Sequence, residues 1–77
     1  MKKGDDILTF GSNLRYIRVQ RKLTLQDLSQ KLNVSINYLS KLEQDRAKLK
    51  PEFLPALANV LNIKIEDLYS ETPPSIK

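Results

Sequence analysis

The sequence predicts an all-α domain built from five short helices. Three observations carry this reading. Apolar residues recur at spacings of three and four, the signature of one helical face. Ser, Thr, Asp or Pro stands ahead of the first four such stretches, where helices begin. No stretch alternates at period two for long enough to make a strand.

Ile7, Phe10, Leu14 and Ile17 define the first helix, which Asp5 or Asp6 can cap and which should run to about Lys22. Gly11 inside it costs about 1 kcal/mol relative to alanine, so a close backbone approach is expected there. Thr24 is the N-cap expected for a second helix, with Asp27 three residues on in a weaker version of the capping box, and Leu25, Leu28 and Leu32 facing inward. Ser35 caps a third, whose inward side is Leu39 and Leu42, with Val34 under the turn. Arg46 to Lys50 reads as a polar, basic loop. Pro51 suits the first position of a fourth helix, whose apolar face is Phe53, Leu54, Leu57, Ala58 and Leu61; Pro55 should disturb its first turn. A short fifth helix turns Ile65, Leu68 and Tyr69 inward, and the double proline of "SETPPSIK" marks 70–77 as a tail behind a domain of residues 1–69.

A chain of 77 residues holds one core and no more. With neither cysteine nor histidine, disulfides and the usual zinc sites are excluded. No apolar run could span a bilayer, and Lys2 and Lys3 lack the apolar segment of a secretion signal. A soluble, cytoplasmic protein is expected. Residues 1–50 hold 11 Lys/Arg against 5 Asp/Glu, a balance of +6, whereas residues 51–77 hold 2 against 4, a balance of −2. Basic charge gathered in one part of a chain suits a polyanion.

Two short helices joined by a tight turn inside a small helical domain form a helix-turn-helix. Residues 11–69 resemble the DNA-binding domains of the Xre, Cro and lambdoid phage repressor family, including regulators of the SinR type. "TLQDLSQKLNVSINYLSKLE" and "KPEFLPALANVLNI" carry the likeness. The resemblance implies a compact five-helix domain that binds double-stranded DNA as a homodimer, a repressor of bacterial or phage origin; no cofactor, metal or small-molecule ligand is expected. It also implies a buried ion pair between Arg18 and Glu43. Three positions depart from the family pattern: Leu25 replaces a phosphate-contacting glutamine, Asn33 a turn glycine, and Glu52 a minor-groove arginine.

The major groove admits one α-helix and is read by short polar side chains and apolar contacts. The expected base readers are Ser35, Ile36, Asn37, Ser40 and Lys41: Asn37 suits adenine, Lys41 suits guanine, and Ile36 either meets a thymine methyl or covers the turn. Phosphate contacts are expected from Gln26, Gln44, Arg46, Lys48 and Lys50, and Tyr38 is expected either to join them or to pack, whereas Arg15, Arg21 and Lys22 read as a solvated face. Ile63, Ile65, Leu68 and Tyr69 offer more apolar surface than a short terminal helix buries in its own core, and are the expected dimer contacts. Catalysis finds no support, with no His or Cys and no glycine-rich phosphate loop. The competing class is an interaction module that uses the same fold to dock an acidic protein.

Overall fold

A computed structural model of the chain describes residues 9–69. Four α-helices, α1 (Phe10–Gln20), α2 (Leu25–Leu32), α3 (Ile36–Glu43) and α4 (Leu54–Leu61), are joined by short turns between the first three and a longer segment, 44–53, ahead of the fourth, and are followed by a 3-10 helix, Ile65–Tyr69. Leu14, Ile17, Leu28, Leu32, Leu39, Leu42, Leu57, Leu61 and Leu68 form one core shared by all of these elements. Full burial of each such side chain contributes about 1.5–3 kcal/mol.

The starts of the helices follow local chemistry. Thr24 accepts from the Asp27 amide at 2.9 Å while Asp27 accepts from the Thr24 amide at 3.0 Å, so the capping box forms in full. Ser35 accepts from the Tyr38 amide at 3.0 Å and starts α3. The first helix begins later than its periodicity suggests. Its cap is Thr9, paired with Ser12 in a second capping box, rather than Asp5 or Asp6. Those two residues, Ile7 and the tail lie outside the described residues.

The ends share one device. Leu23 N donates to Arg18 O, Val34 N to Ser29 O, Arg46 N to Lys41 O and Ile63 N to Ala58 O, all within 3.1 Å. In each case the preceding residue is left-handed: Lys22, Asn33, Asp45 and Asn62 have φ between 58° and 60°. This is the Schellman closure, which satisfies the last carbonyls of a helix. Leu23, Val34 and Ile63, which follow it in three of the four cases, pack against the core.

Pro51 opens a 3-10 turn, Pro51–Phe53, ahead of α4. Pro55 therefore falls within the first two positions of the α-helix, where a backbone N–H has no intrahelical partner to lose. The fifth helix is 3-10 rather than α, as suits five residues closed at their start by Asp67, which accepts from the Lys64 amide at 3.1 Å. Only Leu68 of its three apolar residues is buried; Ile65 and Tyr69 are 40% and 57% exposed.

Gly11 is where α1 crosses the end of α3. A Cβ there would lie 2.5 Å from Leu42 O and 2.6 Å from Glu43 O. The close approach expected of this glycine is present, and it brings Arg18 within reach of Glu43.

Candidate nucleic-acid interface

Helices α2 and α3 pack through Leu28, Leu32, Leu39 and Leu42, with residues 33–35 as the turn between them. Asn33 holds its left-handed φ and ψ of 59° and 45° in place of the family's glycine. Asparagine tolerates this region better than most residues.

Arg18 and Glu43 fix the outer end of α3. Arg18 Nε donates to Glu43 Oε2 at 2.6 Å and Nη2 donates to Oε1 at 3.2 Å. The remaining nitrogen, Nη1, donates to Leu23 O at 2.7 Å. The two side chains are only 12% and 7% exposed, so this is a buried, forked pair whose role is to set orientation. It is present as the resemblance implied.

With both ends of α3 set, Asn37, Lys41 and Gln44 lie exposed along one stripe, at i, i+4 and i+7. Ile36, 45% exposed, stands at its N-terminal end, and Ser35 is exposed beside it. Ser40 is half-buried and accepts from Gln44 Nε2 at 3.0 Å. The five candidate base readers are thus on one end and side of α3, and Gln44 is steadied by one of them. Gln26 is exposed in the first turn of α2. The Asp27 carboxylate also sits in that turn. Hydrogen bonds from the Thr24 backbone, then from its side chain, hold Asp27 below the ordinary carboxylate value, with Lys31 adding attraction. This helix start therefore already carries one negative charge.

After α3 the chain alternates. Arg46, Lys48 and Lys50 are exposed, and Ala47 and Leu49 between them are half-buried against the core. Three cations consequently project from one short segment beside α3. Tyr38 takes the packing alternative in this structure: its hydroxyl donates to Lys48 O at 3.2 Å and accepts from Lys50 N at 3.3 Å, which engages its single proton.

Two further expectations are corrected. Arg21 is no part of a free solvated face: its Nε donates to Leu61 O at 2.8 Å and Nη2 to Asn62 O at 3.2 Å, closing the C-terminal end of α4. The four dimer candidates do not lie together. Leu68 is fully buried, and Tyr69 packs its ring on Phe10 with centroids 5.3 Å apart, beside Ala47 and Leu49. Ile63 and Ile65 remain, on a shallow depression with Pro55, Ala58, Asn59 and Asn62.

Periodicity leaves two architectural residues unassigned. Asn13 is buried and donates from Nδ2 to Leu68 O at 3.0 Å; its place between Phe10 and Leu14, on the inward stripe, was the available signal. Asp45 binds Thr9 Oγ1 at 2.6 Å and Gly11 N at 2.9 Å, with no local sequence signal at all. No group of three or more His, Cys, Asp or Glu able to hold a metal occurs among the described residues. None of their helices is long and apolar enough to cross a membrane.

Comparison with known proteins follows the same lines. A family model described as helix-turn-helix matches residues 14–68. The immunity repressor protein of Bacillus phage phi105 is 36% identical over 64 residues, covering 83% of this chain and 44% of that protein. This chain therefore spans less than half the length of that relative. The DNA-binding domain of the P22 C2 repressor superposes with a TM-score of 0.79 at 23% identity, covering 91% of each chain. The N-terminal DNA-binding domain of SinR from Bacillus subtilis gives 0.73 at 25% identity, covering 82% of this chain and 93% of that one.

Proposed function

Because the chain belongs to the helix-turn-helix family of Xre and lambdoid-repressor type, we propose that it is a DNA-binding transcriptional regulator, acting as a repressor in the cytoplasm of a bacterial cell. The observation that carries this reading is the pairing of two features. One is the exposed stripe of Asn37, Lys41 and Gln44 on α3; the other is the run of three outward cations, Arg46, Lys48 and Lys50, beside it.

Helix α3 enters the major groove, where Asn37 bonds an adenine edge and Lys41 a guanine edge. Ile36, exposed at the tip, packs on a thymine methyl. Gln26, Gln44 and the three cations meet phosphates, which set position and strength without specifying sequence. A single recognition helix touches too few base pairs to select one site in a genome, so a second copy pairs on a two-fold axis and the operator is palindromic. The pairing face is the depression with Ile63 and Ile65, on the less basic part of the chain and apart from α3. The polar composition of the α3 stripe favours base reading over the docking of an acidic protein, which needs only cations.

Selection of bound duplexes from a random library tests the whole reading. A palindromic consensus is the expected result; recovery of duplexes without any shared sequence would leave only charge-driven binding. Ultracentrifugation of wild type and Ile65→Glu tests the pairing face. A dimer that the substitution converts to monomer is expected, and monomer mass for the wild type up to millimolar concentration, with one copy bound per palindrome, would remove the dimer.

A further inference from the structure

We infer that Tyr38 is a positioning residue, whose hydroxyl ties the Lys48–Lys50 segment to the recognition helix so that base reading and phosphate grip move as one body. The inference rests on the DNA reading above and adds to it a residue that touches no DNA. Tyr38 lies on α3 beside Asn37, but its half-buried ring turns away from the exposed stripe and packs against the core.

The two groups that its hydroxyl holds, Lys48 O and Lys50 N, flank Leu49. These are the carbonyl before and the amide after one inward-facing residue. One hydroxyl can serve both, because it donates one hydrogen bond and accepts others. Each component then has a separate job. Burial of Ala47 and Leu49 decides which side of the segment faces out, and therefore that Arg46, Lys48 and Lys50 share that side. The Tyr38 hydroxyl decides how far the segment stands from α3. Beyond it, Lys50 O accepts from Phe53 N at 2.9 Å, which continues the connection into the turn ahead of α4.

A lysine backbone already fixed next to the groove loses less freedom when its ammonium meets a phosphate. Tyr38 thus raises affinity for every duplex alike by holding cations in place. Contacts of 3.2 and 3.3 Å are long for a hydroxyl, so the effect is modest.

Tyr38→Phe tests this, since it keeps the ring and removes only the hydroxyl. Without DNA, amide exchange at Lys50 should quicken by about 2–10-fold, the range of one ordinary hydrogen bond. Affinity should fall by about the same factor on a selected duplex and on random duplexes. The loss should vanish when Tyr38→Phe is made together with Lys48→Ala and Lys50→Ala, because no cations then remain for it to hold. Unchanged Lys50 exchange would show that the tie does not exist. An equal loss in the background without the two lysines, or a loss confined to the selected duplex, would overturn the positioning role. Faster Lys50 exchange in a protein that binds no duplex would overturn the DNA reading and this role together, leaving a hydrogen bond that serves the fold alone.

Discussion

Gly11 and Asp45 are bonded across 34 positions of sequence: the Gly11 amide donates to Asp45 Oδ1 at 2.9 Å, and Oδ2 accepts from Thr9 Oγ1 at 2.6 Å. A carboxylate on the first turn of a helix satisfies an otherwise unpaired N–H and meets the positive end of the helix dipole. Asp45 therefore acts as a long-range cap for α1. Together with the forked Arg18–Glu43 pair further along α1, it clamps the end of α3 at two points.

That clamp has no room for a methyl group at Gly11. Gly11→Ala should gain about 1 kcal/mol in helix propensity yet destabilise the domain, because the new atom would sit within 2.6 Å of two backbone carbonyls. Overpacking of this kind costs about 1–3 kcal/mol, and separation of α1 from Asp45 adds to it. Urea denaturation should show a lower midpoint. A midpoint at or above wild type would mean that α1 does not cross α3 this closely.

Glu43→Ala leaves the Arg18 guanidinium buried without its carboxylate, at a cost of about 3–5 kcal/mol. Glu66→Ala, at an exposed position, should stay within about 0.5 kcal/mol of wild type. Thermal melts of the two variants should therefore separate clearly. Coincident melts would reduce the pair to a surface contact.

Asp27 gives stability a pH dependence of known sign. Its folded pKa lies below the ordinary 3.8 because Thr24 donates to its carboxylate. The contribution is thus complete above the ordinary value and is lost as pH falls through the lower folded one. The melting-temperature gap between wild type and Asp27→Asn should be widest near neutral pH and close on acidification. A gap that widens in acid would contradict the capping box.

Asn37→Ala should relax preference at one base pair and lose about 1–3 kcal/mol on the selected duplex. Lys50→Ala should weaken selected and random duplexes alike and reduce the slope of log affinity against log salt by about 1. Competition binding at several salt concentrations reads both. Identical profiles for the two variants would cancel the division between base reader and phosphate grip.

How much of this was legible in the sequence follows from distance along the chain. Thr24 with Asp27 and Ser35 with Tyr38 are three residues apart, so side-chain type and spacing alone indicate the helix starts. The core leucines follow from periodicity for the same reason. Asp45 with Gly11 and Arg21 with Leu61 are 34 and 40 positions apart, and an arginine that closes a remote helix looks in sequence like any solvated arginine. Tyr38 shows the limit within the candidate site itself. Its place on α3 was readable, but the direction of its ring depended on where the later loop came to rest. The apolar excess near the C-terminal end was equally visible, while its division among core, Phe10 and the Ile63–Ile65 depression required the fold.

The four helix endings carry one more consequence. A left-handed L-residue costs about 1–2 kcal/mol relative to its preferred conformations, and all four α-helices among the described residues end that way without a glycine. Asn33 and Asn62 have side chains that tolerate the geometry, and Asp45 uses the position to reach α1. Lys22 has neither excuse. Lys22→Gly should raise stability by about 0.5–1 kcal/mol after the greater freedom of glycine in the unfolded chain is deducted, a gain that calorimetry would register and an unchanged melt would deny. The domain thus stands one substitution away from a sturdier version of itself. Mutation and selection keep proteins only as robust as their task demands, and in a cell the amount of such a protein follows the small fraction unfolded at any moment. Lys22 is therefore a place to adjust how long the molecule lasts without altering what it reads.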